Sequence, residues 1–305
     1  METTDLLRNI ISLPMLSSGL AEEMLAGNFR SIFKGQGMEF DEARHYEPGD
    51  DIRSIDWNAS ARFGNPFVKM YREERELTIL LLLDISPSMH RTNIALQKLS
   101  PYEQALICAS LIAFSSDNAG QQIGAFFFDR DIEKVFPPHK GRKHIMSLIM
   151  AAVQYQNNVL PRREKYGSDI AAALTGAQRL LKKRSLVVVI SDFFSINWED
   201  ELGHLCRKHD CIALRISSPN EILSPGLITL EDPETGVRIE APAGLSSFRE
   251  SWTGWNEERS TLWESQCKKC GAAYLDLSTE ADAPSALIKF FGRHNINQYK
   301  RRKKL

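Results

Sequence analysis

The chain lacks most of what would tie it to a membrane, a nucleic acid or a nucleotide. Its longest apolar run, residues 77–83, falls far short of the roughly 18 residues that a bilayer span needs. Its first residues, Met1-Glu2-Thr3-Thr4-Asp5, are acidic, with no basic stretch leading into an apolar one, so no secretory leader is expected and the chain reads as cytoplasmic. Charge of one sign is also missing. Lys and Arg number 38 against 39 Asp and Glu, a net charge of -1, so no overall field draws the protein to nucleic acid or to an anionic membrane. The local exception, Lys300-Arg301-Arg302-Lys303-Lys304, reads as a solvated tail over 295–305. There is no Gly-x-x-x-x-Gly-Lys-Ser/Thr phosphate loop and no Gly-x-Ser-x-Gly elbow, and Gly35-Gln-Gly37 has no third glycine where a nucleotide loop needs one.

Cysteine is sparse. Cys108, Cys206, Cys211, Cys267 and Cys270 make an odd number, and in a cytoplasmic chain they stay reduced. Cys267-Lys-Lys-Cys270 is a lone pair that would need two more ligands for a structural zinc. His204, Cys206, His209 and Cys211 can supply them on paper. Yet Cys211 opens an apolar strand and the pair ends a helix, so small buried residues are the simpler reading.

What is present is a regular alternation. Residues 1–35 carry a helical apolar face at Leu6, Leu7, Ile10 and Ile11, broken at Pro14. Residues 36–76 are dense in both charges and turn signals and read as a small β-rich unit. Within it, Glu47, Asp50, Asp51 and Asp56 lie near Arg44, Arg53 and Arg62, which favours ion pairs over a second cation site, with a partner-binding surface as the other reading. From residue 77 to 294, apolar runs at 77–83, 122–128, 185–191, 211–217 and 272–277 alternate with helical stretches at 102–118, 142–156, 169–183, 199–208 and 245–269, and a last helix covers about 283–292. Short, near-continuous Val/Ile/Leu/Phe strands between amphipathic helices imply an α/β fold with a parallel sheet covered on both faces. Asp131–Phe136 follows the second run with almost no spacer, which forces an antiparallel edge strand. Residues 219–242 read as a hairpin insertion.

Ligands of open α/β sheets bind beyond the carboxyl ends of the strands. Three segments bring oxygen donors there. Asp84, Ser86 and Ser88 follow the first strand, Asp192 follows Val187-Val-Val-Ile-Ser191, and Ser168 with Asp169 precedes a helix. Taken singly, each has a plainer role as a turn or helix cap. Together they suit a hard cation. Mg²⁺ is preferred, with Mn²⁺ or Ca²⁺ as alternatives, since all three take oxygen ligands. Neutral hydroxyls leave much of the ion's charge uncancelled, so such a site would attract an external Asp or Glu carboxylate.

These residues resemble the metal-ion-dependent adhesion site of von Willebrand factor A domains, Asp-x-Ser-x-Ser followed by a Thr and then an Asp. Asp84, Ser86 and Ser88 match the first motif and Asp192 the last, while Ser168 stands in the Thr place. The order of elements from 76 to about 294 is similar as well. The charged stretch from Gly37 to Arg53, then Ile55-Asp-Trp-Asn-Ala-Ser-Ala-Arg62, and the segment Ile190-Ser-Asp-Phe193 look like one bacterial branch, domain of unknown function 58 (DUF 58). The resemblance implies a Rossmann-like von Willebrand factor A domain, with a mostly parallel central sheet and one antiparallel edge strand, beside a small β-rich N-terminal unit. It also implies a non-enzymatic, metal-dependent interaction module that partners a MoxR-type AAA+ ATPase or its client, because members typically sit in operons with such ATPases. The rival expectation is a metal-dependent hydrolase or phosphatase using Asp84. Against it, the second acid usual two residues after an aspartyl nucleophile is Ser86, and only His90 lies nearby as a base.

Overall fold

The structure, a computed structural model, describes residues 38–47, 50–51, 54–73, 77–90, 99–157, 168–218, 226–231 and 237–302. The helical segment expected at 1–35 lies outside the described residues. The chain divides into two compact units, the smaller spanning Arg30–Glu76.

In the smaller unit, β1 (Met38–His45) pairs antiparallel with β2 (Phe67–Glu73), with a bulge between Phe40 and Glu42. Between them in sequence lies a short helix, α1 (Trp57–Phe63). Local chemistry sets both its ends. The Asp56 carboxylate accepts from the N–H groups of Asn58 and Ala59 at 3.0 and 3.1 Å, and Gly64 closes the helix at φ 74°. Arg44 pairs with Asp50 at 2.6 Å and Glu47 at 3.6 Å, the ion pairing expected from the sequence. A Glu47 backbone hydrogen bond and the Arg44 guanidinium hold the Asp50 carboxyl below its ordinary range.

The larger unit is built on a six-stranded sheet. In chain order its strands are β3 (Thr78–Asp84), β4 (Gln122–Phe128), β5 (Ile132–His139), β6 (Leu186–Ser191), β7 (Asp210–Ser217) and β10 (Ala273–Ser278). In space the order is β10-β7-β6-β3-β4-β5, parallel throughout except for β5, which pairs antiparallel with β4 at the edge. This is the mixed α/β architecture expected from the sequence. β8 (Leu227–Glu231) and β9 (Arg238–Pro242) pair antiparallel within the segment 219–242.

Alternation along the strands divides the core between the two faces of the sheet. Leu80, Leu82, Phe126, Phe128, Val187 and Val189 share one buried layer with residues of α4 (Ile170–Leu180), α5 (Glu199–Cys206) and α6 (Ser246–Cys270). Ile79, Leu81, Leu83, Ile123 and Phe127 are buried on the other face. There α2 (Pro101–Asn118) packs against α3 (Arg142–Asn157) and α7 (Ala283–Arg302), and the Tyr102 hydroxyl donates to the Ala152 carbonyl at 2.6 Å. α2 begins with a reciprocal cap. Ser100 Oγ accepts from the Glu103 N–H, and the Glu103 carboxylate accepts from the Ser100 N–H, with Pro101 at the first helical position. α7 continues to Arg302, so the basic segment expected as a tail is helical to that residue. Lys and Arg are good helix formers and favour a helix C-terminus. Among the described residues, no helix is long and apolar enough to cross a membrane.

The chain runs from β3 outward to β4 and β5, then returns to place β6 on the opposite side of β3. The direction of winding therefore reverses between β3 and β6. The crevice outside their carboxyl ends is where this class of sheet holds ligands.

Candidate functional site

β3 ends in Asp84 and β6 in Ser191, and the pairing of Leu83 with Ile190 brings those two ends level. Asp84 is fully buried. Its Oδ1 accepts from the Ser86 N–H at 2.9 Å, and its Oδ2 accepts from Ser191 Oγ at 2.6 Å and Ser168 Oγ at 3.0 Å. Ser86 Oγ and Ser88 Oγ lie 3.0 Å apart, with Ser88 held in the 3-10 turn Pro87–His90. Asp192 is buried, and its Oδ1 accepts from the Phe194 N–H at 3.2 Å.

Two neighbouring segments hold this arrangement. Asp169, next to Ser168, is the N-cap of α4; its carboxylate accepts from the Ala172 N–H at 2.9 Å and its own N–H donates to the Asp129 carbonyl at 2.8 Å. Asp169 is thus the cap and leaves Ser168 to face Asp84. After Asp192 the chain turns at Phe193, whose φ is 55°, an uncommon conformation for a bulky residue. The Phe193 ring packs against Trp198 and Trp263 at 5.3 and 5.4 Å, and that contact anchors the loop behind Asp192.

Of the residues read from the sequence, Ser86 and Ser168 touch Asp84 directly, Ser88 touches Ser86, and Asp192 acts on Asp84 by its charge. Ser191 was not among them. A serine at the end of a Val/Ile strand looks like a strand residue, and only the sheet register turns its hydroxyl onto Asp84.

Burial, and then the negative charge of Asp192, push the Asp84 carboxyl up to about 7; hydrogen bonds from Ser191 and Ser86 oppose the rise. A divalent cation placed by these groups would relieve that strain. The donors are all hard oxygens, two carboxylates and the hydroxyls of Ser86, Ser88, Ser168 and Ser191, which is what Mg²⁺, Mn²⁺ and Ca²⁺ take. Neighbouring ligands of an octahedral Mg²⁺ at ~2.1 Å are about 3.0 Å apart. The Ser86–Ser88 separation of 3.0 Å meets that spacing, and it is also an ordinary hydrogen-bond length. The residues therefore fit a hard cation held chiefly by hydroxyls. Among the described residues, no three His, Cys, Asp or Glu side chains are grouped to hold a metal, so serine oxygens must supply much of any coordination. The His90 ring lies tilted against Tyr102, with centroids 4.5 Å apart, and burial lowers its pKa to about 4.

The family model described as protein of unknown function DUF58 matches residues 42–261. An uncharacterized protein of Mycobacterium tuberculosis is 28% identical over 273 residues, which cover 88% of this chain and 83% of that protein. An uncharacterized protein of Mycobacterium avium is 29% identical over 125 residues, 40% of this chain and 73% of that one. Among solved structures, proximal thread matrix protein 1 from the mussel byssus, with a zinc-occupied MIDAS motif, is similar at 17% identity and a TM-score of 0.34, over 47% of this chain and 39% of its own.

Proposed function

The chain belongs to the DUF58 family, and from that premise we propose that it is a non-enzymatic protein-interaction module whose crevice between β3 and β6 holds a divalent cation. Mg²⁺ is the first choice. Asp84, Ser86, Ser88, Ser168 and Asp192 would hold it, with Ser191 fixing Asp84 by its hydrogen bond to Oδ2. The bound ion would supply a positive centre with unfilled coordination, and a partner's Asp or Glu carboxylate would complete it. The partner is a MoxR-type AAA+ ATPase or its client.

One observation carries this reading. A fully buried aspartate sits beside a second carboxylate at the switch point of the sheet, rimmed by serine hydroxyls. The same setting weighs against Asp84 as a nucleophile. Its Oδ2 already accepts two hydroxyl hydrogen bonds.

The test is capture of the ATPase by wild type and by Asp84→Ala, each with Mg²⁺ and with EDTA. Capture is expected only by wild type with Mg²⁺. Capture indifferent to both changes sinks the reading. Turnover of a phosphoester panel that vanishes in Asp84→Ala would establish the hydrolase instead.

A further inference from the structure

Arg215 is a buried cation on β7. A guanidinium in a protein interior persists only where charge and hydrogen bonds meet it. Its Nη2 donates to the Asp276 carboxylate on β10 and to Ser260 Oγ on α6, the latter at 2.8 Å. The guanidinium also lies over the ring of Trp263, a buried residue one turn along α6, with Cζ 4.8 Å from the ring centroid.

The sheet register puts this cation in the same row as the candidate site. Arg215 lies opposite Ser191 on one side and Asp276 on the other, and Asp84 is level with Ser191. Leu82, Val189 and Ala213 share one buried layer, so Asp84, Ser191 and Arg215, each two residues further along, are on the same face. The contact between them runs through Phe193. Its φ of 55° disfavours a bulky side chain and persists only where the surroundings fix it. Its ring packs 5.4 Å from Trp263, the same indole that Arg215 covers. In this conformation the Phe193 N–H donates to Ser191 Oγ at 3.0 Å, which leaves the Ser191 proton for Asp84 Oδ2. The next N–H, that of Phe194, donates to Asp192 Oδ1. One turn thus orients a group on each carboxylate of the site.

We propose that Arg215 is a positioning residue of this site: by fixing Trp263 it holds the Phe193 turn, and through that turn the Ser191 hydroxyl on Asp84 and the carboxylate of Asp192. For its effect on a bound cation the proposal rests on the function proposed above; for the hold on the turn it does not. Arginine suits the task better than lysine, because a flat guanidinium lies along an aromatic face while its N–H groups reach two acceptors in fixed directions.

The test compares wild type, Arg215→Met and Arg184→Met in the full chain. Arg184 pairs with Asp210 at the other end of β7, at 2.8 Å, so its loss removes an ion pair and leaves the turn alone. Amide exchange is followed by NMR in metal-free buffer, and Mg²⁺ binding by calorimetry. Arg215→Met should speed exchange at Phe193 and Phe194 and weaken Mg²⁺ by about 10-fold or more, the usual scale for residues that orient ligands. Arg184→Met should do neither, and Arg215→Lys should restore neither. Asp276→Asn, at a partly exposed position, frees the guanidinium without opening the core. It should show the same two changes in weaker form, so an Arg215→Met chain that fails to fold leaves the question decidable. Wild-type exchange at the two amides, or acceleration spread evenly along β7 and β10, would overturn the proposal and make Arg215 an ordinary ion pair between strands. A loosened turn with wild-type Mg²⁺ affinity would overturn it too. Wild type that binds no Mg²⁺ refutes the cation site instead, and the exchange data then decide the role of Arg215.

Discussion

Asp84 is a carboxyl that the fold pushes toward its neutral form. Its pKa rises from 3.8 toward about 7 on folding, so the folded state binds the extra proton. The stability this lends is full below about pH 4 and is lost as pH rises toward 7. Asp84→Asn keeps the shape and removes the charge. In metal-free buffer at pH 8 the variant should gain about 2–4 kcal/mol, several degrees in Tm, and the gain should shrink toward zero near pH 4. Thermal melts across that range with EDTA check it; a gain that does not vary with pH would mean that Asp84 is not the titrating group. The site was legible where side-chain spacing alone brings oxygens together, as in Asp84-x-Ser86-x-Ser88. It was not legible at Ser191, whose role depends on the register of two strands 107 residues apart.

The strands of the larger unit were legible as elements because burial on both faces leaves near-continuous apolar runs, and β4 spans the run at 122–128. α1 was hidden inside a segment that reads as β-rich, although Asp56 and Gly64 are its start and stop signals. β5 continues to His139, beyond its apolar start, because its partner β4 holds the proline-bearing end. At that end Gly124 is pressed against β5. A Cβ there would lie 2.6 Å from the Phe136 carbonyl oxygen and 2.8 Å from the Pro138 nitrogen, and backbone cannot give way as a side-chain tip can. Gly124→Ala should cost about 1–3 kcal/mol by overpacking, read as a lower urea midpoint. Gly203→Ala, with nothing within 4 Å of its Cβ position, is the control and should be neutral or slightly stabilising. Equal losses in both would mean that the contact between β4 and β5 is not the cause.

At the scale of the whole molecule, charge of both signs nearly cancels, to a net of -1. No long-range field then pulls the protein toward a polyanion. A random DNA duplex should show no gel retardation at ~150 mM salt, above a Debye length of about 8 Å. Retardation that falls steeply with salt would instead assign a binding role to Lys300–Lys304. The two prolines of β5 have a consequence for how copies of the chain can meet. Pro137 and Pro138 sit on the strand that closes one side of the sheet, and neither has an N–H to offer a newcomer. Strand addition, the usual route by which one sheet grows into another, is blunted along that border. The molecule is thus guarded there against fibre-like stacking.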